Sequence, residues 1–393
     1  MLDGGALPSC LNVTAHLDHR FGGLTTSLPP FCAALESTGR YHAPLAAFCL
    51  PDEETNSAGI EPIVFPAGRF KWMTDSRLRQ SLSEKIERAA VVHIHGLWQE
   101  HGAVAAQAAQ SLRKPYIFSA HGMLDPWALR AKRWKKKAYW SLVEKKNLER
   151  AHCLRALTAA EAGQYREAGL RQPIAIIPNG VEIASDISPE PFYDLYPQLR
   201  GQRILLFLGR LHHKKGLRLL CQSWAEISQE HRDAHLVLAG PDSEGTRASL
   251  EAQISALGLE SRVTFSGMLR GKEKWAALRA ATVFLLPSYS EGFSVAVLEA
   301  MGAGTPVIVS RQCYFPEVQS TGSGWVIEPE LAAVSEALRA CLALSDSDLQ
   351  TMGSNGRRLI ERRFRWVVVG NQTADLLDWI LGGPLPRCVE IIQ

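Results

Sequence analysis

Short apolar, β-branched runs alternate along the chain with longer segments whose apolar residues recur every three or four positions, the mark of strands joined by helical crossovers. In the first half the runs fall at Leu11–Ala15, Leu45–Leu50, Pro62–Phe65, Val91–His95, Tyr116–Ala120, Cys153–Thr158 and Ile174–Pro178. A second series follows at Ile204–Leu208, His235–Ala239, Val263–Ser266, Val283–Pro287, Val307–Ser310 and Trp325–Ile327, separated by helical segments such as Gly216–Glu230 and Ser294–Ala303. The pattern predicts an α/β protein with two doubly wound, largely parallel sheets connected right-handedly. Between the two series, Ala184 to Arg200 (ASDISPEPFYDLYPQLR) is acidic, holds three prolines and shows no helical or strand period, so it predicts a linker. The expected domains are residues 1–183 and 201–366, joined by 184–200. Apolar residues at helical spacing over Val367–Leu381 predict a closing helix in the C-terminal segment 367–393.

Composition narrows the class. At roughly 150 residues per domain, 393 residues make two or three domains, and 46% apolar residues are enough for a core in each. With 43 basic against 40 acidic side chains the net charge is +3, too small for a general nucleic-acid binder. Eight cysteines stand singly with no CxxC pair, which fits neither a zinc site nor a disulfide framework, so a reducing compartment is expected. No apolar stretch is long enough to span a bilayer and the start lacks a signal peptide's basic and apolar regions, so the expected location is cytoplasmic. The positive charge is concentrated: residues 130–150 hold nine Lys or Arg and two Glu, interleaved with Trp134, Tyr139 and Trp140 and preceded by Trp127. One reading is a solvated helix flanking a cleft. The other is a basic, aromatic helix lying on an anionic membrane, at about 1 kcal/mol per basic residue, with a lipid-linked acceptor.

Ligands of open parallel sheets bind beyond the C-terminal strand ends, where His95, His121 and the Gly22-Gly23 loop are placed in one crevice. The most informative segment runs from Pro287 to Pro306, PSYSEGFSVAVLEAMGAGTP. A buried strand ends at Pro287, a polar loop carries Glu291, and a helix starts near Ser294, whose hydroxyl suits an N-cap, and stops at Gly304. A helix N-terminus at that edge is a seat for phosphate. Glu291 and Glu299 bracket it, about 12 Å apart if all eight residues were helical. Carboxylates beside a phosphate seat repel it unless they bind hydroxyls or stabilise a developing cation, which suits a diphosphate lying between two hydroxyl-rich groups. In a second strand–loop–helix segment, LFLGRLHHKKG from Leu206, Arg210 can grip two phosphate oxygens and Lys215 adds a mobile charge, enough to neutralise a leaving pyrophosphate without a metal. His212 and His213 read as solvated loop residues, because no carboxylate or cysteine stands at ligand spacing in the sequence.

With PSYSEGFSVAVLEAMGAGTPV, GRLHHKKG and the IPNGV of Ile177–Val181, the chain resembles a retaining glycosyltransferase of the large family 4 type (glycosyltransferase group 1), over nearly its whole length. The resemblance implies the GT-B fold, two Rossmann-like domains facing across a cleft, with the C-terminal helix folded back onto the first, acceptor-side domain. It implies that Arg210 and Lys215 bind the diphosphate of a UDP- or GDP-linked sugar, with Phe293 and Ser294 at the same donor. Glu299 then takes the ribose hydroxyls, Glu291 the sugar, and the backbone at Leu269 the base. His121 matches a histidine near the donor sugar and acceptor, and Gly22 and Gly23 a loop that approaches the diphosphate. Two positions depart from the pattern: Ser294 stands where many relatives carry Gly, and Gly122 where an acidic residue commonly follows the histidine. The implied reaction retains anomeric configuration by a front-face route, without cofactor or metal, onto a glycan or lipid-linked acceptor in polysaccharide or glycolipid biosynthesis. Two alternatives share the architecture: a nucleotide-sugar epimerase, which needs no acceptor, and a non-catalytic nucleotide-sugar binder. A nicotinamide dehydrogenase is disfavoured because no G-x-G-x-x-G opens a helix after a strand.

Overall fold

Runs of Val, Ile, Leu and Ala become strands here because both faces of each sheet are covered, so neither face needs polar residues. In chain order the strands are β1 (Cys10–Thr14), β2 (Leu45–Cys49), β3 (Ile63–Pro66), β4 (Val91–His95), β5 (Tyr116–Ser119), β6 (Cys153–Ala156), β7 (Ile174–Ile176), β8 (Arg203–Leu208), β9 (Ala234–Ala239), β10 (Val263–Gly267), β11 (Ala281–Leu286), β12 (Val307–Ser310), β13 (Gly324–Ile327) and β14 (Glu390–Ile392). The computed structural model describes residues 7–17, 23–49, 62–66, 76–130, 133–185, 187–242, 244–387 and 390–392.

The chain divides into two units, residues 1–180 with 366–393, and residues 181–365. The first is built on an eight-stranded sheet of order β14-β7-β6-β5-β4-β1-β2-β3, parallel except for β14, which runs antiparallel to β7. Alternate residues of its strands enter different clusters: Val92 and Ile94 join one, Val91 the other, as period-two strands covered on both faces require. The second unit holds a six-stranded, wholly parallel sheet of order β10-β9-β8-β11-β12-β13 around its own core. Both sheets are α/β and doubly wound, the fold class expected.

Two segments depart from expectation. The stretch 184–200 is not period-free: it forms a helix at Glu190–Leu195 and a turn of tighter helix at Pro197–Leu199, with Phe192 and Leu199 buried in the second unit's core. The helical spacing of Phe192, Tyr196 and Leu199 was hidden by prolines, which stand at helix starts where a missing N–H costs nothing. The closing helix spans Trp366–Ile380 only, and the tail beyond it returns as β14. That helix packs on the helix Gly23–Glu36. Arg40 bonds Asp375 at 2.7 Å and also reaches Asp378, which accepts from the Tyr41 hydroxyl at 2.6 Å. A Cβ on Gly180 would sit 2.5 Å from the ring of Trp366, so the glycine of IPNGV permits a close approach at the chain crossing. Among the described residues no helix is long and apolar enough to cross a membrane.

Candidate functional site

In the second unit β8, β11 and β12 are adjacent and parallel, so the loops after their C-terminal ends converge. The β8 loop turns at Gly216, where φ is +70° and a Cβ would lie 2.1 Å from the carbonyl oxygen of Pro287. Only glycine fits, and the fit presses this loop against the end of β11. The Tyr289 N–H donates to the Lys214 carbonyl at 2.7 Å and closes the seam. Lys215 Nζ then donates to Glu291 Oε1 at 2.5 Å, and the Ser288 hydroxyl donates to the same oxygen at 2.7 Å. From the β12 side Ser310 Oγ donates to the Ser288 carbonyl at 2.6 Å, and the Glu291 N–H donates to the Gln312 carbonyl at 3.2 Å.

Glu291 is 6% exposed. Burial pushes its carboxyl upward, but the charges of Lys215 and Lys214 and the hydrogen bonds from Lys215 and Ser288 outweigh it and hold the pKa below the usual carboxylate value. Glu291 therefore stays ionised. Arg210 leaves β8 two residues past its end, partly exposed, and makes no ion pair among the described residues. Of the four side chains that define the expected donor site, Lys215 and Glu291 are in direct contact and Arg210 shares their loop. Glu299 lies on the next helix and is held elsewhere, by Lys274 Nζ at 2.6 Å. Nothing in the sequence singled out Lys274.

The helix after this loop spans Val295–Gly302, with Ser294 at its N-cap position. The Ser294 hydroxyl accepts no hydrogen bond there, contrary to expectation, so the N-cap side chain leaves the first-turn N–H groups uncapped. Because residues 291–294 are outside the helix, the 12 Å spacing, which assumed eight helical residues, does not apply. Gly304, with φ +80°, ends the helix as expected. The half-buried Phe293 ring packs in an aromatic cluster with Phe315 and Phe364, at 6.4 and 6.2 Å between centroids. The Leu269 side chain is likewise buried in the core.

The absence of a carboxylate at ligand spacing near His212 holds in sequence but not in space. His212, His213 and Glu244 bring ligand atoms within 4.8 Å of one another. His212 Nδ1 accepts the Lys214 N–H at 3.1 Å, which leaves the proton of a neutral ring on Nε2, 3.1 Å from Glu244. His212 therefore offers a hydrogen bond to Glu244, and no lone pair to a cation.

In the first unit His95 and His121 meet as the strand-end reading expected. Asn12 Nδ2 donates to the Cys10 carbonyl, so its Oδ1 accepts from His95 Nε2 at 3.0 Å. Burial, then the neighbouring histidines and Arg155, holds His95 far below its ordinary pKa, and a neutral ring protonated at Nε2 keeps a lone pair on Nδ1. That nitrogen accepts from His121 Nε2 at 3.0 Å. Burial and the charge of Arg155 lower His121 to about 3, so His121 is a neutral imidazole with its acceptor on Nδ1. It sits at φ +53°, and the Gly122 N–H after it donates to Glu161 Oε1 at 2.6 Å. Glu161 is the acid that anchors this turn in place of the missing one beside His121. It follows Thr158 in T-A-A-E, a helix-start signature that the sequence reading passed over. Gly22 lies outside the described residues, and Gly23 is the first residue of its helix. Beneath this turn the guanidinium of Arg155 donates to the carbonyls of Ile177 and Pro178 and to Asn179 Oδ1, which gives the IPNGV segment a structural task.

Residues 22–180 match the family model described as "Glycosyl transferase 4-like domain", and residues 197–359 match "Glycosyl transferases group 1". Among curated relatives, the phosphatidyl-myo-inositol mannosyltransferase of Mycobacterium leprae is 33% identical over 50% of this chain and 51% of its own. The chain spans about half the length of the curated relatives it matches. The sucrose-phosphate synthase of Thermosynechococcus elongatus superposes with a TM-score of 0.73 at 22% identity, over 95% of this chain and 99% of that one. Anabaena HepE in complex with UDP and glucose gives 0.75 at 21%, over 95% and 100%. The fold is GT-B, and the two family matches together cover most of the chain, which belongs to the group 1 glycosyltransferases.

Proposed function

We propose that the protein is a retaining glycosyltransferase that moves a sugar from a UDP- or GDP-linked donor to a glycan or lipid-linked acceptor in polysaccharide or glycolipid biosynthesis. The observation that carries this reading is the nearly buried Lys215–Glu291 pair beside a helix start that the Ser294 side chain leaves uncapped, with Arg210, which has no ion pair among the described residues, on the same loop. Arg210, Lys215 and the N–H groups after Phe293 and Ser294 receive the diphosphate, and stabilising its charge as it leaves supplies most of the rate. Both side-chain contacts of Glu291 fall on Oε1, so Oε2 remains for a sugar hydroxyl. Glu299 exchanges Lys274 for ribose hydroxyls, and the backbone at Leu269 meets the base. In the first unit, His121 serves the transfer as a neutral acceptor through Nδ1. The mechanism needs no metal, because the cations at the diphosphate are side chains. Residues 130–150 contact an anionic membrane surface at the cytoplasmic face, where a lipid-linked acceptor is met.

A thermal-shift screen of UDP-, GDP- and other nucleotide-linked sugars tests the donor, since a ligand at 100 times its Kd stabilises by about 2.7 kcal/mol. No shift with any of them removes the reading. Release of nucleoside diphosphate only when acceptor is present supports transfer, and an epimerised sugar formed without acceptor overturns it.

A further inference from the structure

The first unit carries a cavity of about 530 Å³ that the donor chemistry does not use. Its size is that of small-ligand pockets, ~300–1,000 Å³. Trp98, Leu124, Leu129 and Trp140 form an apolar floor, and Arg130, Arg133, Lys136 and Lys137 line the same opening against a single acid, Glu167. Lys136 is committed, donating to the Ala128 carbonyl and lying 5.4 Å from the centre of the Trp98 ring. Arg130, Arg133 and Lys137 have no ion-pair partner among the described residues, and Arg133 and Lys137 are exposed. Alongside, Trp134 and Leu142 are 78% and 72% exposed. The wall at Trp140 begins a turn of π-helix, Trp140–Glu144, a distortion that recurs at functional sites.

A free small anion would use the cations and leave the apolar floor empty. A purely apolar ligand would leave three cations unpaired. Exposed Trp134 and Leu142 place the opening where a bilayer can be met, and the volume takes a headgroup and the start of a chain rather than a whole tail. We propose that this cavity binds the head of a single-chain lipid monophosphate, with the monoester, nearly doubly charged at neutral pH, on Arg130, Arg133 and Lys137 and the first segment of the chain against Trp98, Leu124 and Trp140. As the carrier of the acceptor, this lipid rests on the transferase reading; as a ligand it does not, and binding is measured with no donor present.

The test is co-sedimentation of the full chain with phosphatidylcholine vesicles carrying a long-chain polyprenyl monophosphate, the same charge of phosphatidylglycerol, or the uncharged polyprenol. The expected result is roughly tenfold tighter binding to the polyprenyl phosphate than to either control. Ala168→Phe fills the cavity without changing charge and removes that preference while salt-sensitive association persists; an unchanged melting temperature shows that the variant is folded. Lys137→Glu, on the exposed rim, weakens binding to the phosphate and not to the alcohol. Equal binding to the two anionic vesicles would leave only a charged surface and overturns the proposal. So does full displacement by inorganic phosphate, or tighter binding of an acidic amphipathic peptide that expels the lipid. A chain that binds the polyprenyl phosphate but gives no shift with any nucleotide-sugar would keep this site and lose the transferase.

Discussion

Replacing Lys215 separates what that residue does for the fold from what it does for a ligand. Its ammonium is Glu291's ion-pair partner, and the two side chains are 14% and 7% exposed. Removing one member of such a pair strands the other charge in a poorly solvated place, which costs about 3–5 kcal/mol. For a domain of roughly 150–250 residues each kcal/mol moves Tm by about 2–4 °C, so Lys215→Met should lower the melting temperature of the second unit by roughly 6–20 °C. The sign of the pH dependence follows from the carboxyl. In the intact protein Glu291 has a depressed pKa, so its contribution is present above the unfolded value and fades as pH falls through the folded one. In Lys215→Met burial is no longer opposed by the strongest charge, the folded pKa rises, and the variant becomes less stable as pH rises. The gap in Tm between the two proteins should therefore be small near about pH 4 and widest above about pH 7. Lys215→Met with Glu291→Gln, which leaves no charge buried, should recover most of the loss in Tm without recovering transfer. Arg210→Ala, with no ion pair to break, should change stability by less than about 0.5 kcal/mol and transfer by about 100- to 1,000-fold. Calorimetry of the four proteins across pH decides it. A gap below about 2 °C that does not vary with pH would refute the reasoning, because the pair would then contribute nothing to the fold.

Glu144 is 1% exposed and its Oε2 has no hydrogen-bond partner; burial pushes its pKa up to about 8. The folded state then holds a proton that the unfolded state releases near 4.5, stability falls as pH rises between the two values, and Glu144→Gln should remove that loss, on the order of 5 kcal/mol over the whole interval, read from Tm against pH. Nitrogen-15 spectra of histidine-labelled protein should show His121 protonated on Nε2 and neutral down to about pH 4; a proton on Nδ1, or titration near 6.5, would contradict the chain through His95 and Asn12. Gly216→Ala meets both a left-handed φ and the Pro287 carbonyl, so it should destabilise the second unit by more than about 1 kcal/mol and weaken nucleotide-sugar binding by parting Lys215 from Glu291.

The strands were legible because covered parallel sheets repeat one simple pattern, and every apolar run became a strand. β14 was not, since three residues of an antiparallel edge carry no period of their own. That the loops after β8 and β11 bring Lys215 and Glu291 together was legible, because chemistry-bearing residues there follow strand ends directly, and so was the meeting of His95 with His121. Contacts between distant stretches were hidden: Lys274 reaches Glu299 across 25 residues, and Glu244 reaches His212 across a helix and a strand. The role of 184–200 was misread because prolines at a helix start and within a linker look alike in sequence.

The pairing of Lys215 also reorders the expected roles. An ammonium already neutralised by a buried carboxylate is fixed in position, which lowers the cost of reorganisation when a ligand arrives, but it offers little net charge from a distance. A diphosphate approaching these loops is attracted chiefly by Arg210, which has no ion pair among the described residues, and by the helix start that the Ser294 side chain leaves uncapped. Lys215 becomes useful only at contact, when the phosphate oxygens and Glu291 share its three protons. Arg210→Ala should therefore weaken binding of the nucleoside diphosphate itself. Lys215→Met, in the stability-restored double variant, should act more on the transfer step than on binding of the diphosphate. A double variant that loses diphosphate affinity as severely as Arg210→Ala would show that the carboxylate does not hold Lys215 back at all.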